Sequence, residues 1–374
     1  MHFVWIEMED ELYYHLALPY LKNLGSIQIK KILDHYGSAK AFFKDSVLHR
    51  RNTFGRRAAL MKPTISREIA AQIEQEMKLM EQHGISCCLY TDKSYPQRLR
   101  QCVDAPSHFF YKGDLTAFNT SMSAAIVGTR LATAYGHEAV KRILGDCKGL
   151  DLCIVSGLAS GIDTAAHEEA LQNGLRTVAV MGTGFNSIYP PSNRQLAQKI
   201  IEQGGAVISE YPFYTPPDKQ NFPKRNRIIA GMSDATIVVE TALKGGSIIT
   251  AHIAHSYNRD VFAIPGPISN STSEGCNELI RQNLAALITS GKNLIEMMGW
   301  DHTAKKAVQR KLFVELNDDE RRLANLLQEH GEMPIDKLYG ELPDMTVSKT
   351  AGLLLQLELK GIIQCKPGKI YSLA

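Results

Sequence analysis

Ala124-Ala125-Ile126-Val127 runs directly into Gly128-Thr129-Arg130, a short apolar segment followed by a glycine turn that ends on a cation. Comparable apolar runs recur at Leu152-Cys153-Ile154-Val155, Thr177-Val178-Ala179-Val180, Ala206-Val207-Ile208-Ser209, Thr236-Ile237-Val238-Val239 and Asp260-Val261-Phe262-Ala263-Ile264. Each is rich in β-branched or small residues and shows no polar face, which is how strands read when helices cover both sides of their sheet. Amphipathic stretches separate them. Strand and helix alternating from about residue 116 to about residue 300 predict a mostly parallel, doubly wound α/β sheet. Ligands of such a sheet lie beyond the C-terminal strand ends, near the point where strand order reverses.

On the N-terminal side, residues 1 to about 115 read as helical, with Leu12, Leu16, Leu18, Leu21 and Leu24 in an apolar helical period. Leu24-Gly25-Ser26-Ile27-Gln28-Ile29-Lys30-Lys31-Ile32-Leu33 predicts a helix, a glycine turn and a second helix. Two readings stand for that hairpin: a contact to a nucleic-acid backbone, or plain helical packing. The stretch from Lys44 to Arg67 carries Arg50, Arg51, Arg56, Arg57 and Lys62 with one acid, Asp45, the pattern of a solvated basic face. On the C-terminal side, a polar, basic connector begins at Asp301-His302-Thr303-Ala304-Lys305-Lys306. The last 60 or so residues read helix, helix, helix, hairpin, the order of a winged helix. Asn317 caps the first of these helices with Glu320 three residues on, and Thr346 or Ser348 opens the third. The expected organisation is therefore a helical module over 1–80, the doubly wound α/β domain over 81–300 and a winged helix over 315–374.

The 374 residues allow two or three domains, and a net charge of +3 diagnoses no partner, so a nucleic-acid site must show as a local patch. Seven scattered cysteines with no C-x-x-C argue against a disulfide framework and a zinc site, and fit a reducing cytosol. The N-terminus, from Met1 to Glu7, does not read as a signal peptide, and no stretch approaches the roughly 20 apolar residues of a membrane span.

The polar clusters follow the apolar runs. Gly128-Thr129-Arg130 closes the first. Ser156-Gly157-Leu158-Ala159-Ser160-Gly161-Ile162-Asp163 closes the second and opens a helix. Glycine and serine at a strand-to-helix turn allow close backbone approach and present N–H donors, an arrangement suited to anions, and Arg130 adds a planar cation for phosphate. Gly182-Thr183-Gly184-Phe185 and Tyr189-Pro190-Pro191-Ser192-Asn193 follow the third. The strongest cluster is Lys219-Gln220-Asn221-Phe222-Pro223-Lys224-Arg225-Asn226-Arg227, four cations around one aromatic ring at the start of a helix. Cations that track a backbone beside a ring that stacks on a base are what single-strand binding requires. Gly245-Gly246-Ser247 opens a further helix and offers another phosphate cradle. Asp163 reads as a carboxylate complementing a helix dipole rather than as a base. His252 and His255 share a helix face with no third ligand nearby. No Walker-type loop, G-x-G-x-x-G, G-x-S-x-G or H-E-x-x-H is present, so no nucleotide cofactor or metal is expected.

In order and spacing these clusters, together with Ser209-Glu210-Tyr211, Ile228-Ile229-Ala230-Gly231, Ile248-Ile249-Thr250-Ala251 and Val261-Phe262-Ala263-Ile264-Pro265-Gly266, resemble the DprA/Smf family of DNA-processing proteins over roughly residues 85–300. The resemblance implies an extended Rossmann-like domain in a cytoplasmic homodimer that binds and protects incoming single-stranded DNA and loads the RecA recombinase during natural transformation, without catalysis. It carries a phosphate-binding arginine onto Arg130 and a lysine and an aromatic onto Lys219 and Phe222. The family's usual G-S-R is G-T-R here. The competing reading is a nucleoside-monophosphate phosphoribohydrolase of the lysine-decarboxylase-like group, with Glu240 as the acid before Gly245-Gly246-Ser247. That group's P-G-G-x-G-T-x-x-E order is absent.

Overall fold

The computed structural model describes residues 11–21, 24–54, 63–301 and 316–374. Arg56, Arg57 and Lys62 of the basic run, the N-terminal segment from Met1 to Glu7, and the connector after Asp301 lie outside the described residues.

All six apolar runs are strands: β3 (Met122–Val127), β4 (Leu152–Ser156), β5 (Arg176–Met181), β6 (Ala206–Ser209), β7 (Ala235–Val238) and β8 (Asp260–Ala263). With β1 (Ser86–Leu89), β2 (His108–Gly113) and β9 (Ala286–Leu287) they form a nine-stranded sheet in the order β1-β2-β6-β5-β4-β3-β7-β8-β9. From β6 to β9 every pair is parallel. Alternation along β3 shows why its residues carry no polar face. Ala124 and Ile126 pack into one core with Ile154, Ile237 and the helix Ala134–Asp146. Ala125 and Val127 pack into another with Val155, Val238 and the helices Asn221–Gly231 and Gly246–Ser256. Both faces of the pleat are buried, as the two-residue side-chain period requires when helices cover both sides. The chain builds β4, β5 and β6 on one side of β3, then crosses to place β7 and β8 on the other. The order reverses between β3 and β7, where the helices that follow the two strands lie on opposite faces. This is a Rossmann-like, doubly wound sheet, and the reversal fixes where its crevice lies.

The reading of residues 1 to 115 as helical holds only in part. β1 and β2 pair antiparallel with each other, and β2 continues antiparallel onto β6. Ser86-Cys87-Cys88-Leu89 is too short to show a period, and what makes it a strand is its ladder partner, a tertiary effect. The helical segment before β1 packs against the sheet without a gap in the core: Leu18, Ile29, Ile32, Leu33 and Phe42 share one cluster with Tyr95, Leu99, Phe109 and Val180. Tyr90 Oη donates to Asp34 at 2.7 Å, and Lys30 Nζ donates to the carbonyls of Arg100 and Cys102, both at 2.8 Å.

The last described stretch has its own core of Leu323, Leu327, Leu338, Leu354, Leu357 and Ile363. It holds the helices Asp318–His330, Ile335–Glu341 and Val347–Leu359, then the hairpin of β11 (Ile363–Lys366) and β12 (Ile370–Leu373). A short strand not expected from sequence, β10 (Met333–Pro334), pairs with β12. Asn317 and Glu320 form the reciprocal cap, and Thr346 caps the third helix. Of that helix's leucines, Leu354 and Leu357 are buried while Leu355 and Leu359 are 58% and 80% exposed. The hairpin turn meets the sheet domain just before β8, where Gly368 N–H donates to the Asn258 carbonyl at 3.0 Å and Arg259 donates to the Pro367 carbonyl at 3.3 Å.

Ile126 is fully buried in β3, beside the strand-order reversal. Ile126→Ala is expected to cost about 2–5 kcal/mol of stability, read from the urea midpoint, because the packed neighbours on that face cannot close the cavity.

Candidate nucleic-acid interface

A cavity of about 700 Å³ opens at the strand-order reversal. Its walls are Gly128-Thr129-Arg130 after β3, Lys219, Phe222 and Asn226 at the start of the helix Asn221–Gly231, and Gly245-Gly246-Ser247 at the start of the helix Gly246–Ser256. Sequence positions from 128 to 247 thus converge on one crevice.

Arg130 is exposed, and its guanidinium carbon lies 5.1 Å from the centroid of the Phe222 ring. A cation over an aromatic face is attracted by the ring quadrupole, so the ring holds the charge at the mouth of the cavity. Tyr189 also packs on that ring, centroid to centroid at 5.7 Å. The turn under Arg130 is fixed from several sides. Thr129 N–H donates to the Glu240 carbonyl at 2.8 Å, and the Thr129 carbonyl accepts from Ile162 N–H at 3.1 Å. The Thr129 hydroxyl accepts from Leu131 N–H at 3.2 Å, so the hydroxyl shared by G-S-R and G-T-R braces the turn. Gly161 has φ +78°, and a Cβ there would sit 2.4 Å from the Thr129 carbonyl oxygen. Only glycine lets the second turn approach the first so closely.

Several of the candidate site residues face inward. Ser156 is buried, and its hydroxyl donates to the Ile126 carbonyl at 2.6 Å. Gly157 and Ala159 N–H donate to Asp163, at 3.1 and 3.4 Å, so a protein carboxylate already occupies these donors. Burial pushes the Asp163 carboxyl up from its ordinary value, while neighbouring Arg225 and these N–H groups pull it down. Arg225 is 4% exposed and donates to the carbonyls of Gly157, at 2.6 Å, and Val180. Arg227 pairs with Glu210 and donates to the Asp104 carbonyl at 2.6 Å. Of the four cations in that cluster, only Lys219 and Lys224 are exposed. Asn226 links two helices by donating to the Gly246 carbonyl at 3.4 Å. A Cβ at Gly246 would meet nothing within 4 Å, so that backbone is open to the cavity, and its helix has no acid in the first turn.

Glu240 is buried with φ +59° and accepts from Thr133 N–H at 2.9 Å and from the Thr133 hydroxyl at 2.5 Å. His252 and His255 are exposed, and among the described residues no three His, Cys, Asp or Glu side chains are grouped to hold a metal. Tyr189 and Leu131 also line the cavity, and sequence reasoning did not assign them to the site. The signal each carries is its position, directly after Arg130 or directly before Pro190 in a polar loop.

The family described as DNA recombination-mediator protein A matches residues 86–299. Protein Smf of Escherichia coli is 37% identical over 303 residues, covering 79% of each chain. Among solved structures, DprA of Streptococcus pneumoniae is 34% identical with a TM-score of 0.57, over 73% of this chain and 98% of that one. DNA processing protein A of Helicobacter pylori, whose structure is described for its single-stranded DNA binding mode, is 30% identical with a TM-score of 0.52, over 58% and 96%. The crevice at the β3–β7 reversal and the sheet that builds it fall wholly within the matched residues, and the chain belongs to the DprA/Smf family of DNA recombination-mediator proteins.

Proposed function

We propose that this chain binds single-stranded DNA along the cavity, without catalysis, and as a cytoplasmic homodimer protects incoming DNA and hands it to a RecA-type recombinase during natural transformation. The observation that carries the DNA reading is Arg130 held over the Phe222 ring, beside exposed Lys219 and the open helix start at Gly246 and Ser247. Exposed cations serve phosphates, and the aromatic surface serves a base. The binding mode described for the Helicobacter pylori relative supports the same ligand. The homodimer and the recombinase step rest on family membership. Phosphate cradles and stacking carry no sequence code, so little base preference is expected.

In the phosphoribohydrolase alternative Glu240 would be the catalytic acid. Its carboxylate instead accepts hydrogen bonds from Thr133 and is not among the cavity walls. Release of base from nucleoside monophosphates, assayed beside DNA binding, separates the two readings.

Arg130→Ala and Lys219→Ala are each expected to weaken binding of an oligothymidylate and to flatten its logarithmic salt dependence by about 0.7 for each phosphate no longer neutralised. Phe222→Ala is expected to lose about 1–3 kcal/mol per stacked base with the slope retained. Fluorescence anisotropy at several salt concentrations reads both, and a folded Arg130→Ala protein with wild-type affinity and slope would remove that residue from the site. Removing residues 316–374 is expected to leave most of the affinity intact, because they touch the N-terminal end of β8, the edge away from the cavity. A large loss of affinity in a folded, truncated protein would place that module in the DNA path.

A further inference from the structure

A second cavity, of about 510 Å³, lies along the same edge of the sheet. The first cavity is built over the C-terminal ends of β3 and β7. The second is built over the end of β6 and the start of its antiparallel neighbour β2, with Ser107, Glu210 and Tyr211 in its wall. The first turn of the helix Asn221–Gly231 stands between them, sending Lys219 and Phe222 to one side and Lys224 and Arg227 to the other. Across the second cavity, Gly25 and Ser26 open the helix Ser26–Tyr36, which has no acid in its first turn. The cavity's carboxylate, Glu210, is paired with Arg227. Lys224 is exposed and, among the described residues, makes no hydrogen bond or ion pair. The local balance therefore leaves one cation in excess, facing a helix start across a groove in which Gln28 Oε1 already takes the Gly25 N–H at 3.1 Å and the Ser26 N–H comes next, with Tyr211 as an aromatic wall.

Resting on the single-strand reading above, we propose that the strand held in the first cavity continues across Pro223 and Lys224 into the second, where Lys224 and the Gly25-Ser26 helix start take a further phosphate. The N-terminal helical segment is then a wall of the DNA path and not only a packing module. The ends of β3 and β6 are three strand spacings apart, about 14 Å at the usual separation, a span that a few extended nucleotides bridge. The charge pattern favours this occupant. A backbone-tracking ligand needs anion sites at successive positions along one edge, and the edge supplies Arg130 and Lys219, then Lys224, then the helix start.

The test compares oligothymidylates of about 4 and about 16 nucleotides, the span of site sizes known for single-strand folds, on the full chain. Ser26→Glu places an anion at the helix start, and Ser26→Lys places a cation there. The glutamate variant is expected to lower the ratio of long- to short-oligomer affinity several-fold and to flatten the long-oligomer salt slope by about 0.7 for each phosphate released from the protein. The lysine variant is expected to raise the ratio. Opposite shifts from opposite charges cannot come from damage to folding. If both variants keep the wild-type ratio and slope, the second cavity is not on the path. If the wild-type protein fails to bind the short oligomer at all, the first-cavity reading fails instead.

Discussion

The buried guanidinium of Arg225 is the group on which the site depends. It is 4% exposed, reaches across to the carbonyls of Gly157 and Val180, and lies beside the carboxylate of Asp163. These groups belong to the end of β4, the end of β5 and the first turn of the helix Ile162–Gln172. One side chain thus fixes the helix Asn221–Gly231 against two strand ends and a neighbouring helix. Burial pulls Arg225 down to about 10, and Asp163 opposes that shift, so the guanidinium stays charged at neutral pH. A buried charge is tolerated where a partner and hydrogen bonds replace its water, and here carbonyls and a carboxylate do so. Because the helix is held at its start, Phe222, one turn before Arg225, is fixed in the wall of the same cavity, while Lys219 and Lys224 stay exposed.

The cation cluster therefore divides its labour. Arg225 and Arg227 look inward and join elements, while Lys219 and Lys224 look outward. The division suits the chemistry of each type. A planar guanidinium with several fixed donors can satisfy two carbonyls or a carboxylate at once, whereas an ammonium on a flexible stem serves a ligand that slides. Arg130 is the exception that faces outward, and it is braced by an aromatic ring. Glu240 plays the matching part across the cavity, joining the Thr133 turn to the strand end of β7 so that the two sides of the crevice hold a fixed separation.

The sequence by itself determined the sheet and where its crevice lies. Short apolar runs rich in β-branched residues with no polar face read as strands covered on both sides, and their alternation with helices leaves few topologies. The Asn317 cap was legible because a side-chain oxygen three residues before a backbone donor is a purely local arrangement, while the structure chose Thr346 over Ser348 at the third helix. Tertiary structure alone decided which of the clustered polar residues reach the cavity. Lys224 and Arg225 are neighbours in sequence, yet one is exposed and the other buried, and only the packing of that helix on β5 says which. The same holds for Ser156 and the Gly157 N–H, whose partners Ile126 and Asp163 are brought in by strand pairing and by the next turn. It holds again for β1 and β2, whose residues are strands because β6 leaves an edge for them to pair with. Hydrophobic period and capping act within a few residues of chain, while burial of a charge depends on what is folded against it.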